Sequence, residues 1–476
     1  MTRRAALFPL LLLAGCSLAP KYQRPALPVP PSWPVGDAYL KQAEAALPAV
    51  NYPQVFTDPR LQQVVARALS HNRDLRVAVA NIEAARAQYR IQRAELFPVL
   101  DAGVGVTRRA GGVPAAQAAS GAGVGGTRTI YSAELGVTAF EIDLFGRIRS
   151  LTGAALNRFF ATEAAARAVR LTLVGDVADA WLQLAADRSL LQVAVDTARV
   201  AADGVRLTRA RLDGGVAPRT DLTQAEQILA VAQADVAAQT TLVAQDGNLL
   251  QLLVGVPVEG ALLPLSIADA APSFVAPPAG VDSSVLLRRP DVVQAEYQLR
   301  AANGDIGAAR AALFPRLSLS GLLSAASTAI GNLFNSDSIS STVSPGLGYT
   351  IFNAGAARAN VRLTQAQRDA ALAAYERAIQ AAFRETADAL ARQGTIGAQL
   401  DAQRRFAAAA GQTLALVNAR YSNGVETFLS SLDAQRALYT AQRNLVTTEL
   451  IAASNRVALY RALGGDATLH VPPIGQ

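Results

Sequence analysis

The chain is poor in the residues that most chemistry uses. It has one cysteine, one methionine and two histidines in 476 residues. With Cys16 alone there is no intrachain disulfide and no cysteine cluster to hold a metal. His71 and His470 are the only imidazoles, and no Ser/His/Asp set, metal cluster or P-loop stands out, so no catalytic residue, metal or cofactor is expected. Lysine is confined to Lys21 and Lys41, which leaves the formal charge of +7 to arginine. The arginines alternate with acids, as along Asp203, Arg206, Arg209, Arg211 and Asp213, which marks a solvated helical face rather than a nucleic-acid surface. Aromatics make up 6% against 51% hydrophobic residues, much of it alanine, a composition suited to closely packed helices. Proline is missing between Pro114 and Pro218 and between Pro345 and Pro472.

The one thiol has a specific setting. Arg3 and Arg4 precede an apolar run, Ala5 to Ala14, that is too short to span a bilayer but has the order of an export signal. Leu13-Ala14-Gly15-Cys16 then resembles the lipobox of bacterial lipoproteins, which implies cleavage before Cys16 and N-acyl and S-diacylglycerol groups on it. The alternative, an incidental cysteine in an ordinary signal peptide, leaves that spacing unexplained. Ser17 is not the aspartate that retains lipoproteins at the inner membrane, so the outer membrane is favoured, with acyl chains as anchor.

The chain also repeats itself. Leu96-Phe97-Pro98 recurs at Leu313-Phe314-Pro315, 217 residues on, and "ARLDGGV" from Ala210 matches "ARYSNGV" from Ala419, 209 residues on. Two copies of one supersecondary unit are therefore expected. After each Leu-Phe-Pro come alternating stretches. Leu100, Ala102, Val104 and Val106 alternate with Asp101, Gly103, Gly105 and Thr107, and Tyr131, Ala133, Leu135, Val137 and Ala139 with Ser132, Glu134, Gly136 and Thr138. The second copy sets Leu317, Leu319 and Leu323 against Ser318, Ser320 and Ser324, then Val343, Leu347, Tyr349 and Ile351 against Ser344, Gly346, Gly348 and Thr350. Strands of this length with one apolar and one Ser/Gly/Thr face are the pattern of membrane β-barrels; a soluble sandwich would need further strands, and none is evident. Four strands cannot close a barrel, so several chains must share one.

The proline-free tracts read as long helices, one from about Arg147 to Leu212 and roughly 100 Å long, each turning at Gly214-Gly215 or Asn423-Gly424 into a returning helix, Asp221 to Val254 and Phe428 to Leu463. Near-heptad leucines at Leu222, Leu229, Leu432, Leu438 and Leu445 are consistent with coiled-coil packing.

With these parts assembled, the sequence resembles the TolC-like outer-membrane factors, in their lipoprotein branch serving resistance-nodulation-division efflux (NodT-type). The likeness runs from Phe56-Thr57-Asp58-Pro59 to Leu463-Gly464, and "RRPDVVQAEYQLRAANGDIGAARAALFPRLSLSG", Arg288 to Gly321, is its most specific stretch. The resemblance implies an α+β membrane protein: a homotrimer whose twelve-stranded barrel, four strands per chain, continues into a helical coiled-coil tunnel through the periplasm. It implies a passive duct that conducts drugs or other small toxic compounds, driven by an inner-membrane transporter through a periplasmic adaptor. Metal efflux and type I protein secretion would use the same architecture, while a lipid-anchored scaffold would not conduct.

On this reading residues 1–15 are the signal and 16–55 an acylated, proline-rich strap. Residues 56–254 form the first repeat (strand pair about 98–142, helical hairpin about 147–254) and 255–285 an equatorial segment. Residues 286–463 form the second repeat (strand pair about 315–352, helical hairpin about 356–463), followed by a tail, 464–476. The resemblance implies that the tips Gly214, Gly215, Val216, Gly424 and Val425 meet the adaptor. It places the periplasmic gate at Leu416 and Asn418, with Ala415 a turn earlier, where some relatives carry aspartates. Gly121, Gly123 and Gly126 satisfy G-x-G-x-x-G but lie between strands, in a surface loop.

Overall fold

A computed structural model of the chain describes residues 17–34, 51–111, 127–276 and 283–464. Cys16 and the Gly121–Gly126 loop lie outside these residues. The principal elements are α1 (Pro59–His71), α2 (Arg73–Ala94), β1 (Asp101–Arg109), β2 (Arg128–Ile142), α3 (Arg147–Asp213), α4 (Arg219–Val254), α5 (Pro290–Ala311), β3 (Arg316–Ser327), β4 (Ile339–Gly348), α6 (Ala356–Ser422) and α7 (Phe428–Leu463).

The duplication holds at the level of single residues. α2 and α5 each have 22 residues, α3 and α6 each have 67, and α4 and α7 each have 36. Glycines with positive φ punctuate both copies at matching places: Gly146 and Gly355 before the long helices, Gly215 and Gly424 at the turns, Gly255 and Gly464 at the ends. The compact units cut across the repeats: of the described residues, one comprises 17–24, 83–111, 127–160 and 297–373, the other 25–34, 51–82, 161–276, 283–296 and 374–464.

The first unit holds a single antiparallel sheet in the order β1-β2-β3-β4. Its register places Val104 opposite Ala133, Leu135 opposite Leu323 and Ala325 opposite Ile339, so the apolar residues share one face. The other face is a serine ladder, in which Ser318 Oγ donates to Gly346 O and the Ser324 and Ser340 hydroxyls are 2.8 Å apart. Three details differ from the expected alternation, the first being that β1 begins at Asp101 and leaves Leu100 outside the ladder. A bulge between Val137 and Phe140 shifts the phase, so Phe140 and Ile142 rather than Ala139 continue the apolar side. β4 ends at Gly348, which leaves Tyr349 and Ile351 outside the ladder. At Gly136 a side chain would strike the backbone of Gly321, so the central strands approach closely there. In this unit Leu18 and Ala19 lie on α5: Arg310 donates to Leu18 O, and Ala19 fills the notch left by Gly307, where an added Cβ would come within 2.7 Å of it.

The second unit is helical. Trp181 is fully buried and its indole donates to Leu262 O at 3.0 Å; Phe274 tilts against its ring, Phe56 packs on Phe274 and edge-on to Tyr460, and Leu61, Val64 and Val65 belong to the same core. Asp58 caps α1 by accepting from the Arg60 backbone at 2.7 Å, and the Arg60 guanidinium bridges Asp58 and Asp269. The Phe56-Thr57-Asp58-Pro59 stretch thus owes its residue types to a bridge with Phe274 and a helix start. Gly175 leaves room for Arg461 to cross α3 and pair with Asp176 and Asp179. Pro31 O accepts from Ser283 N, and Trp33 stacks on Phe383 with ring centroids 4.9 Å apart, so the proline-rich strap is tied to the helices.

Candidate functional site at the hairpin turns

Both long helices stop by the same backbone device. At the first turn Gly215 N donates to Leu212 O and Val216 N to Arg211 O; at the second Gly424 N donates to Tyr421 O and Val425 N to Arg420 O. These are Schellman caps with glycine in the left-handed position, φ +71° and +75°. Gly214 and Asn423 occupy the position before it, so neither supplies the left-handed residue; Asn423 instead donates its side-chain amide to Ala419 O. Val216 and Val425, next in each chain, are 68% and 65% exposed.

The sides of the turns differ, and the aromatic residues make the difference. Where the second copy has Tyr421 and Phe428, the first has Leu212 and Arg219. Tyr421 and Phe428 pack with centroids 5.5 Å apart and cluster with Leu432, Ala225, Val205 and Ile228, which joins the two hairpins. Arg211 lies over the Tyr421 ring, Arg209 pairs with Glu226 at 2.8 Å, and Arg420 pairs with Glu426. Burial pushes the Tyr421 phenol up, and hydrogen bonds from Ser430 and the Thr427 backbone hold the Glu426 carboxyl below its usual range. Nothing in the motifs gives Tyr421 and Phe428 a site role; their departure from the matching positions of the first copy is the signal that marks them.

Of the gate positions, Leu416 is 67% exposed and Ala415 is exposed beside it. Asn418 is engaged with its own hairpin: its Oδ1 accepts from Ser431 Oγ at 2.5 Å, and it borders a groove of about 300 Å³ with Leu207, Tyr421 and Phe428. Further along the helices Tyr439 donates to Asp235 at 2.6 Å, and burial followed by that carboxylate pushes its phenol up to about 12. Among the described residues no group of three or more His, Cys, Asp or Glu could hold a metal, and no helix is long and apolar enough to cross a membrane.

Among the described residues β1 and β4 each pair on one side only, so the sheet presents two unpaired edges. A partial barrel wall joined in sequence to helical hairpins defines a class, the channel-forming proteins whose barrel is shared between chains. A family model described as "Outer membrane efflux protein" matches residues 64–256 and 282–465, and the chain belongs to that family. The chain is 42% identical over 465 residues to the solvent efflux pump outer membrane protein SrpC of Pseudomonas putida, covering 96% of this chain and 97% of that one. It is 38% identical over 470 residues to outer membrane protein OprJ of Pseudomonas aeruginosa, covering 97% and 95%. Among solved structures, a membrane protein from Pseudomonas aeruginosa superposes with a TM-score of 0.86 at 37% identity, covering 95% of this chain and 98% of that one. The open state of the MtrE outer membrane channel of Neisseria gonorrhoeae superposes with 0.83 at 33%, covering 94% and 98%. The fold class is that of the trimeric outer-membrane channels, with four strands per chain and a long helical tunnel, and the function is that of an outer-membrane efflux channel.

Proposed function

We propose that three copies of this chain form the passive exit duct of a tripartite pump that expels organic solvents, antibiotics and similar small toxic compounds. The observation that carries the proposal is the pair of unpaired edges on β1 and β4: in lipid each unpaired backbone group costs several kcal/mol, and neighbouring copies of the same sheet satisfy them. Relatives named for solvent and antibiotic efflux support the cargo class. A periplasmic adaptor meets the turns at Gly214, Gly215, Val216, Gly424 and Val425 and links the duct to a resistance-nodulation-division transporter in the inner membrane, which supplies the energy. Leu416 narrows the closed duct with Ala415, and Asn418 makes that level uncharged. Acyl chains on Cys16 add a lipid anchor in the outer membrane, and the helices stand in the periplasm.

The decisive experiment is conductance of the purified protein in a planar bilayer, with crosslinking to count chains. Discrete steps from a trimer support the duct; a monomer that never conducts, even as Leu416→Ser, overturns it. Intact-mass spectrometry of the membrane-extracted chain tests the anchor, which requires a chain beginning at Cys16 and carrying its acyl groups.

A further inference from the structure

The duplication provides an internal comparison where strands pass into the long helices. In the first copy the passage from β2 to α3 is neutralised from within. Arg147 pairs with Glu141 at 2.8 Å, and Arg149 pairs with Asp143, whose carboxylate also accepts from Arg149 N at the start of α3. In the second copy the matching acids, 209 residues on, are Thr350 and Phe352, while Arg149 is kept as Arg358. A further base, Arg316, stands where the first copy has Val99. Arg316 opens β3 opposite Gly348, the last residue of β4, and Arg358 lies in the first turn of α6, which holds no acid. Among the described residues neither guanidinium has an ion-pair or hydrogen-bond partner.

Both arginines border one groove of about 760 Å³, with Tyr349, Ile351 and Phe352 along its wall. The first copy supplies its own carboxylate to the matching helix start. In the second, two guanidinium groups and the positive end of a 67-residue helix face a groove lined by no acid.

The wall of the groove specifies the kind of anion that fits. Tyr349, Ile351 and Phe352 are exposed at the end of the sheet, as Phe97 and Val99 are before β1. In a membrane barrel, aromatic residues at strand ends stand at the level of the lipid headgroups. Leu18 and Ala19, which follow the proposed acylation site, lie on the last two turns of α5, shortly before Arg316, so an anchor there enters the bilayer at the same level. A phosphate suits a pair of guanidinium groups, and an apolar continuation of the same molecule suits Tyr349, Ile351 and Phe352. An anionic phospholipid has both parts and is present at that level.

We propose that Arg316 and Arg358 form a headgroup site for an anionic phospholipid at the helix-side rim of the barrel, one site in each chain. The site goes beyond the efflux function and rests on the sheet being a barrel wall.

The test is native mass spectrometry of the full-length trimer with dioleoylphosphatidylglycerol or dioleoylphosphatidylcholine, which share acyl chains and differ in net charge. Phosphatidylglycerol binds in preference, to one molecule per chain. Arg316→Gln combined with Arg358→Gln weakens it about thirtyfold and leaves trimer and conductance as in the wild type, whereas lysine at both positions retains the preference for the anionic lipid. A second measurement uses Phe352→Trp and brominated forms of the same two lipids. The anionic lipid quenches the new indole more strongly at equal mole fraction, and the glutamine pair makes the two equal. Equal affinity of the wild type and the glutamine variant for phosphatidylglycerol, or equal binding of the two lipids by the wild type, overturns the proposal. So does an indole at position 352 that neither lipid quenches, which shows a neighbouring copy covering the groove. If the glutamine pair fails to form trimers, the quenching of Phe352→Trp in the otherwise unchanged chain decides. A wild type that forms no trimer and never conducts overturns the channel and the site together.

Discussion

The guanidinium of Arg211 lies over the ring of Tyr421, 4.8 Å from its centroid, and so joins the last turn of one long helix to the last turn of its repeat-related partner. Tyr421 in turn packs on Phe428, and the pair forms the seam between the two hairpins. Phe428→Ala removes a buried ring from a small cluster at a cost of about 3 kcal/mol. Because the cluster is separate from the main core around Trp181, the expected result is local: faster amide exchange in residues 205–228 and 418–432, with the rest of the helical unit protected as before.

Leu416→Ser is expected to separate stability from permeability. Its side chain is exposed in the single chain, so folding changes by no more than about 0.5 kcal/mol. On the proposal that Leu416 narrows the duct, a ring of three smaller, polar side chains widens it, and bulky antibiotics enter cells carrying the variant faster. Unchanged uptake by cells with normal amounts of the variant counts against Leu416 as the constriction.

The two glycines of the first turn should respond differently to alanine. Gly215 has φ +71°, where a Cβ costs roughly 1–2 kcal/mol, and Gly424→Ala at φ +75° costs the same. Gly214 lies at an ordinary φ, so Gly214→Ala escapes that strain and costs less than the other two, the remaining penalty being the 3.3 Å approach of the added carbon to Ala210 O. Chemical denaturation of the three variants checks the order.

Asp246 and Asp187 face each other between α4 and α3, with Gln183 donating to Asp187. Burial and the neighbouring Asp187 carboxylate push Asp246 up to about 7. The folded chain therefore retains a proton that the unfolded carboxyl, titrating near 3.8, has released. Stability falls as pH rises through that interval, from about 4 to about 7. Asp246→Asn removes the dependence, so its melting temperature exceeds that of the wild type most at pH 7 and above, and converges with it near pH 4. Parallel melting curves for the two proteins across this range would refute the assignment.

The sequence by itself determined the elements and their repetition. Proline-free tracts ending in glycine dictate the helices, because proline breaks them and glycine alone accepts the left-handed cap; α7 begins at Phe428 and ends at Leu463, as its boundaries in sequence require. Alternation with a period of two dictates the strands and their faces, and the incomplete barrel follows from counting them. These are local properties, set by a residue and its near neighbours. The tertiary structure alone decided which side chains meet. The bulge that returns Phe140 to the apolar face depends on the partner strand, and the vacancy at Gly175 has a purpose only because Arg461 crosses it. Tyr439 finds Asp235 across 204 residues, and Asp187 meets Asp246 between helices whose repeats carry no such pairs. Which residues face one another there depends on how two helices are rotated and offset along their length, and that is settled by packing over many turns rather than by any stretch of sequence.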